Sequence, residues 1–397
     1  MARLRYGIVT FKGNRAGILR EEPGNATSFE YDLGFDHDIA CCLPAAQRTH
    51  FHPNGLHPFF SHLGPEGWLR ERQSAFEDLD TNDDFGILLA FAGDCIGAVG
   101  IIDPEAKQDR RLKTSTLSPM DQAANTERTI SGVQAKILCN ETDDGKLHPA
   151  KQDEPAPIIA KFSSENLPDL VTNEAGTMAL CKTLLPKGEV AHTWRTFVTG
   201  IPDAALAVRR FDRQGAAMQT KLRCEDFAQI LGVTPGRDHR GKYNASYGDI
   251  GRALSFSSAP LIDARRAFIR LAVYVLLGNV DCHIKNWSLL ETPNGLRLSP
   301  AYDVLNGYIY GAQGYTTRFG LLVNDQRLQW ENYDRDLLLR IAPEFGLPRK
   351  AAESALKQLY RKKEPLFKNL KDRILLSEEK SFRYANTVKE AWERIYD

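Results

Sequence analysis

The sequence predicts an α+β fold in which a β-rich N-terminal part leads into a larger, mainly helical C-terminal part, and three observations predict it. Residues 4–9 and 16–19 are short apolar runs divided by Gly and Asn turn signals, and residues 27–31 alternate, which is the pattern of short strands. Two more apolar runs, at 158–162 and 204–211, have the length of strands rather than helices. Beyond residue 213 apolar side chains recur mostly at helical spacing, above all in the segment that opens near Asp263.

Composition narrows the class. With 397 residues the chain can bury a large core and divides into two or three units. We place these at 1–105, 106–213 and 214–397. A hydrophobic fraction of 42% and a charged fraction of 26% are ordinary for a globular protein. Lys plus Arg equals Asp plus Glu at 51 each, so no general basic charge points to nucleic acid as a direct ligand. The 7 cysteines are scattered and contain no C-x-x-C pair, which argues against a disulfide framework or a zinc site and fits a reducing cytosol. Neither a secretory h-region nor an apolar run longer than residues 271–277 is seen, so the expectation is a cytoplasmic protein with no membrane contact.

In chain order, the early strands give way at Pro58 to helical patterns around Phe59, Trp68 and residues 85–91. The glycines of residues 93–102 read as a turn entering a strand, and no G-K-[ST] follows to make them a P-loop. Residues 103–128 are polar and read as a linker, with the charge run at 107–111 as a solvated loop. Thr129, Ser131 and Gly132 precede the apolar run 133–138, which suits a loop whose backbone approaches phosphate closely. Lys161 sits alone in an apolar strand, either as an edge-strand gatekeeper or as a phosphate ligand on a rigid element. A helix is predicted from Asn173, with Ala175, Met178, Cys181 and Leu185 on its core face. Glu174, in its predicted first turn, either favours the helix dipole or pairs with Lys161. Residues 235–244 form a basic loop, either solvated or facing a protein substrate.

The chemistry concentrates at residues 279–303. A helix N-capped by Asp263 and apolar on nearly all sides should end by delivering Asp281 to a loop fixed by the core. Asn286 follows five positions later. Asn294-Gly295 between apolar runs predicts a tight hairpin, which should return Asp303 beside Asn286. Taken singly, Asp281, Asn286 and Asp303 are ordinary turn residues. As an ordered set with Lys161 and the loop at 129–132, they are what phosphoryl transfer from ATP needs: a carboxylate near the attacking hydroxyl, an Asn and an Asp for Mg²⁺, and a lysine for the phosphates. His283 orients the loop in this reading, since no second ligand at suitable spacing makes it a metal site.

Several of these stretches together resemble a known family, the HipA-like serine/threonine kinases, which are toxins of bacterial toxin–antitoxin modules. The resemblance runs from about Gly13 to about Asn306 and rests on residues 59–67, 93–99, 131–136, 210–213 and 281–286 in that order. It implies a two-lobed protein-kinase-like fold, with a small β-rich N-lobe, an additional N-terminal subdomain and a larger helical C-lobe. It further implies Asp281 as catalytic base, Asn286 and Asp303 as Mg²⁺ ligands, and Lys161 as the ATP phosphate lysine. Ser131, Gly132, Val133, Gln134, Arg210, Phe211 and His283 would line the nucleotide. Autophosphorylation at Thr129 or Ser131 would switch the kinase off. The implied partners are a HipB-like helix-turn-helix antitoxin, operator DNA reached only through that antitoxin, and a protein substrate, expected to be an aminoacyl-tRNA synthetase whose modification halts translation and growth. The chain departs from some relatives in carrying Arg209 where they have Glu. The competing reading is a catalytically silent binding protein that serves as co-repressor with a DNA-binding antitoxin.

Overall fold

The computed structural model describes the chain except residues 1–3, 107–118, 125, 127, 131–133, 152–153 and 216–217, together with the side chains of 119, 122, 123 and 237–239. It divides into two compact units, residues 1–164 with 196–235, and residues 165–195 with 236–397.

The first unit holds one five-stranded sheet and most of a second, whose strand Thr193–Phe197 starts in residues assigned to the second unit. Strands β1 (Tyr6–Phe11), β2 (Asn14–Glu22), β3 (Ala26–Tyr31), β4 (Thr49–His52) and β5 (Val99–Ile102) pair antiparallel in the order β4-β3-β2-β1-β5. The expected strands at 4–9, 16–19 and 27–31 are three of these. Their inward side chains, including Val9, Leu19 and Phe29, close a core with Phe60, Phe85 and Leu88 from the predicted helical region. The second sheet comprises β6 (Lys136–Glu141), β7 (Leu147–Pro149), β8 (Ile158–Phe162), β9 (Thr193–Phe197) and β10 (Ala204–Arg209), ordered β7-β6-β8-β10-β9.

The expected linker at 103–128 is more than a connection, because Pro119–Ala124 is a helix. Ala124 is buried with Leu69, Ile130 and Leu138, and Asp121 pairs with Arg72 at 2.9 Å. Gln73 Nε2, from the helix Gly67–Glu77, also donates to Ala124 O at 2.9 Å.

The second unit is organised on the helix Pro260–Leu276, buried from Ala267 onward on nearly every side. Asp263 is not its N-cap. That position is Ala259, and Pro260 occupies the first turn, where its missing N–H costs nothing. The fully buried Asp263 carboxylate instead accepts from Ser257 Oγ (2.6 Å), Arg297 Nε (2.9 Å), Leu298 N (2.9 Å) and Arg266 (2.8 Å). Burial alone would raise its pKa, but those donors outweigh burial and hold it down to about 2.

The helix expected from Asn173 begins earlier, at Leu170, so Glu174 lies in the second turn and the dipole explanation for it falls away. This helix packs on Lys363–Arg373 so closely that a Cβ at Gly176 would lie 2.5 Å from the Arg373 carbonyl oxygen. Thr177 Oγ1 meets Tyr384 OH at 2.9 Å, tying in the C-terminal helix Glu378–Tyr396.

Candidate active site

The predicted site residues fall into two groups, one in each unit. In the second unit, the buried helix ends in a turn where Gly278 has φ +68°, and a Cβ there would lie 2.5 Å from Asn306 Oδ1. Left-handed backbone and close packing both call for glycine at this position. The next residues form a loop closed on itself. Asp281 O accepts from His283 N at 2.9 Å and from Asn286 Nδ2 at 2.8 Å. Because Asn286 spends its amide NH₂ on this closure, its Oδ1 remains as the atom for a cation. The short 3₁₀ turn Ile284–Asn286 completes the loop.

The carboxylate of Asp281 accepts a hydrogen bond from Tyr243 OH at 2.8 Å. His283, buried, stands edge-on to the Tyr243 ring with centroids 5.2 Å apart. Burial lowers the His283 pKa, while the charges of Asp281 and Asp303 act in the opposite sense. A Cβ at Gly320 would lie 2.7 Å from His283 N, so strand Arg318–Val323 also braces the loop from behind.

The hairpin forms as expected, from Ser288–Thr292 and Gly295–Leu298, but with Thr292 paired to Gly295. Its two-residue turn is therefore Pro293-Asn294 rather than Asn294-Gly295, and Gly295 takes φ +99° as the first strand residue. The returning chain is pinned through Tyr302, whose OH bonds Lys285 O at 2.8 Å and shares a 2.5 Å hydrogen bond with Ser288 Oγ. Asp303 then has φ 58°, a left-handed conformation that Asp tolerates better than most residues. Past it, Asn306 is locked by reciprocal bonds with Asn173 (2.9 and 3.0 Å).

In the first unit, Lys161 is buried on β8, an interior strand between β6 and β10, which rules out the edge-gatekeeper reading. Directly across the ladder stands Lys136, also buried. As register partners their side chains share one face of the sheet. Lys136 was passed over in the sequence. Its signal is a lysine directly before an apolar run, Ile137-Leu138-Cys139. Gln134 Nε2 donates to Phe162 O, the residue after Lys161, at 2.9 Å. Thr129 is buried, its N–H on Asp94 O at 3.3 Å, and its hydroxyl has no partner among the described residues. Ser131, Gly132 and Val133 lie outside the described residues.

Arg210 turns its guanidinium into the protein, onto Asp212 (2.8 and 3.0 Å), Cys95 O (2.9 Å) and Ala156 O (3.3 Å). Arg213 bridges Asp212 and Asp94, both at 2.7 Å, and Lys221 reaches Asp94 at 2.8 Å. Burial would raise both carboxylates, but the surrounding cations hold both down, Asp94 well below the usual range. Phe211 is half-buried, and Arg209 pairs with Glu141 at 2.9 Å.

Two buried lysines on one face suit phosphate oxygens, and Asn286 with Asp303 suits a hard cation. Among the described residues no group of three His, Cys, Asp or Glu side chains that could hold a metal is found. Also among the described residues, no helix is long and apolar enough to cross a membrane.

Comparison with known proteins gives concordant results. Residues 128–365 match the family model of the HipA-like C-terminal domain, and residues 8–102 that of the HipA N-terminal domain. The chain is 32% identical over 282 residues to Y4dM of Sinorhizobium fredii, covering 66% of this chain and 65% of that protein. It is 27% identical over 278 residues to the serine/threonine-protein kinase toxin HipA of Shewanella oneidensis, covering 61% and 60%. The aligned part of the chain thus spans a little under two thirds of the length of these curated relatives. In structure it is similar to a chain of the Shewanella oneidensis complex of HipA, HipB and operator DNA, with a TM-score of 0.75, 19% identity, and coverage of 98% of this chain and 97% of that one. That likeness establishes the fold, a kinase-like α+β architecture.

Proposed function

Because the chain belongs to the HipA-like family of kinase toxins, we propose that it is an ATP- and Mg²⁺-dependent serine/threonine protein kinase, the toxin of a toxin–antitoxin module. The observation that carries this reading is the closed loop at 281–286, in which the Asp281 carboxylate accepts from a phenol while the Asn286 amide closes the backbone. Asp281 accepts or orients the proton of the acceptor hydroxyl. Lys161 and Lys136 neutralise the phosphates, and the 129–132 loop, Val133, Gln134, His283 and the Arg210-Phe211 strand end line the nucleotide, Arg210 through its backbone. Asn286 and Asp303 would hold Mg²⁺, which when bound screens charge on the phosphates. The protein's own contribution is position and fixed charge, since little covalent chemistry falls to it.

The finer assignments belong to the same proposal: action in the cytoplasm, the division at 1–105, 106–213 and 214–397, self-inactivation through Thr129 or Ser131, a HipB-like antitoxin linking the chain to operator DNA, and an aminoacyl-tRNA synthetase as substrate. Incubation with labelled ATP and Mg²⁺, followed by intact-mass measurement, tests the reading. A gain of phosphate on the wild type, absent in Asp281→Asn, is expected. Unlabelled wild type would instead favour the catalytically silent co-repressor.

A further inference from the structure

Tyr243 belongs to none of the motifs that define the expected site, yet it touches the proposed base. It closes the 3₁₀ helix Arg237–Tyr243, in a segment that reads from sequence as a solvated or substrate-facing loop. Its phenol donates to Asp281 Oδ1 at 2.8 Å, and among the described residues no other side-chain hydrogen bond to that carboxylate is seen. With Oδ1 occupied, Oδ2 is the oxygen left for an acceptor hydroxyl.

The ring itself is held on two sides. His283 stands edge-on to it at 5.2 Å, and the Arg327 guanidinium lies 4.6 Å from its centroid. Arg327 is in turn fixed to backbone, with Nε on Phe319 O at 2.7 Å and Nη2 on Arg318 O at 3.0 Å. The segment after Tyr243 is sewn to the same strand by Leu322 N on Ala245 O at 2.9 Å. A tyrosine needed only for packing would not require its hydroxyl on a charged oxygen, nor an arginine recruited from a separate hairpin to hold its ring.

We propose that Tyr243 is a positioning residue for Asp281, and that Arg327 acts through it: together they fix which carboxylate oxygen, and which orientation, meets the substrate hydroxyl. The proposal rests on the kinase reading. A carboxylate free to rotate would still accept a proton, but would spend most of its time out of line with the incoming hydroxyl, and a small misplacement of a reacting group is costly in rate.

The experiment compares wild type, Tyr243→Phe, Arg327→Gln and Asp281→Asn in Mg²⁺-ATP autophosphorylation and nucleotide affinity, with thermal unfolding alongside. Tyr243→Phe keeps the ring and its contacts and removes only the hydroxyl. A fall in turnover of about 10- to 100-fold is expected, the range for a hydrogen bond to a charged group, with the affinity for Mg²⁺-ATP and the melting temperature unchanged. Arg327→Gln should lie between it and wild type. Wild-type turnover in Tyr243→Phe would overturn the positioning role and leave the kinase reading intact. Equal loss of nucleotide affinity and turnover would also overturn it, in favour of a merely structural residue. Failure of the wild type to transfer phosphate would remove the kinase reading itself, and the role with it.

Discussion

Two sets of carboxylates, Asp94 with Asp212 in the first unit and Asp281 in the second, are treated by the fold in opposite ways. Asp94 and Asp212 are surrounded by Arg210, Arg213 and Lys221 at 2.7–3.0 Å, and Asp212 also accepts from Gly97 N at 2.7 Å. Their charge is consumed where it stands. Asp281 meets one neutral phenol and no cation at hydrogen-bonding distance among the described residues. Both belong to short motifs that the family resemblance singles out, residues 93–99 and 210–213 on one side and 281–286 on the other. Saturation by fixed partners marks scaffolding, whereas a positioned but uncompensated acceptor marks chemistry.

The contrast can be broken by exchanging the observable. Asp281→Asn should lower phosphoryl transfer by about 10²- to 10⁴-fold while leaving the thermal midpoint in place. Asp212→Asn should do the reverse, losing about 3–5 kcal/mol of stability in denaturant titration by stranding buried arginines. Asp303→Asn, which keeps a residue tolerant of left-handed backbone, should behave like Asp281→Asn in activity. A stable, active Asp212→Asn would erase the distinction.

Next in size is Lys136→Met. If the two facing lysines serve phosphate, Mg²⁺-ATP affinity measured by calorimetry should fall by about 10-fold or more, as expected when a charge-assisted contact is lost.

Asp263 sharpens the comparison from the structural side. Its pKa is held at about 2 in the folded chain, against an unfolded value of about 3.9. The carboxylate is depressed, so its contribution of about 2 kcal/mol is present above pH 4 and is lost as the pH falls through the folded value. Asp263→Asn should therefore flatten the stability profile between about pH 4 and pH 2. The smallest effect should come from Glu353→Gln, which removes an exposed helical pair with Arg349 at 3.4 Å and should shift stability by at most about 0.5 kcal/mol.

Much of this was legible in the residues, for identifiable reasons. Strands β1–β3, β8 and β10, the helix that delivers Asp281 and the hairpin after it carry strong local signals, periodic apolar runs bounded by Gly, Pro and Asn. What could not be read depends on pairing across the chain. The hairpin turn was displaced by one residue because strand register, not the Asn-Gly dipeptide, settles it. Asp263 looked like a cap because Asp often is one, and only the fold brings Arg297 to it. Lys136 gains meaning only opposite Lys161, and Tyr243 only against a loop 38 residues away.

The helix Leu170–Leu184 has a consequence for synthesis on the ribosome. It belongs to the second unit, yet it lies in the chain between strands β8 and β10 of the first. Its partners Asn306, Arg373 and Tyr384 are translated 133, 197 and 207 residues after the positions they meet, Asn173, Gly176 and Thr177. Met178, Cys181 and Leu184 must then wait, already made, while the rest is polymerised. Nascent chains stalled short of Tyr384 are thus the species that chaperones should be most needed to shield.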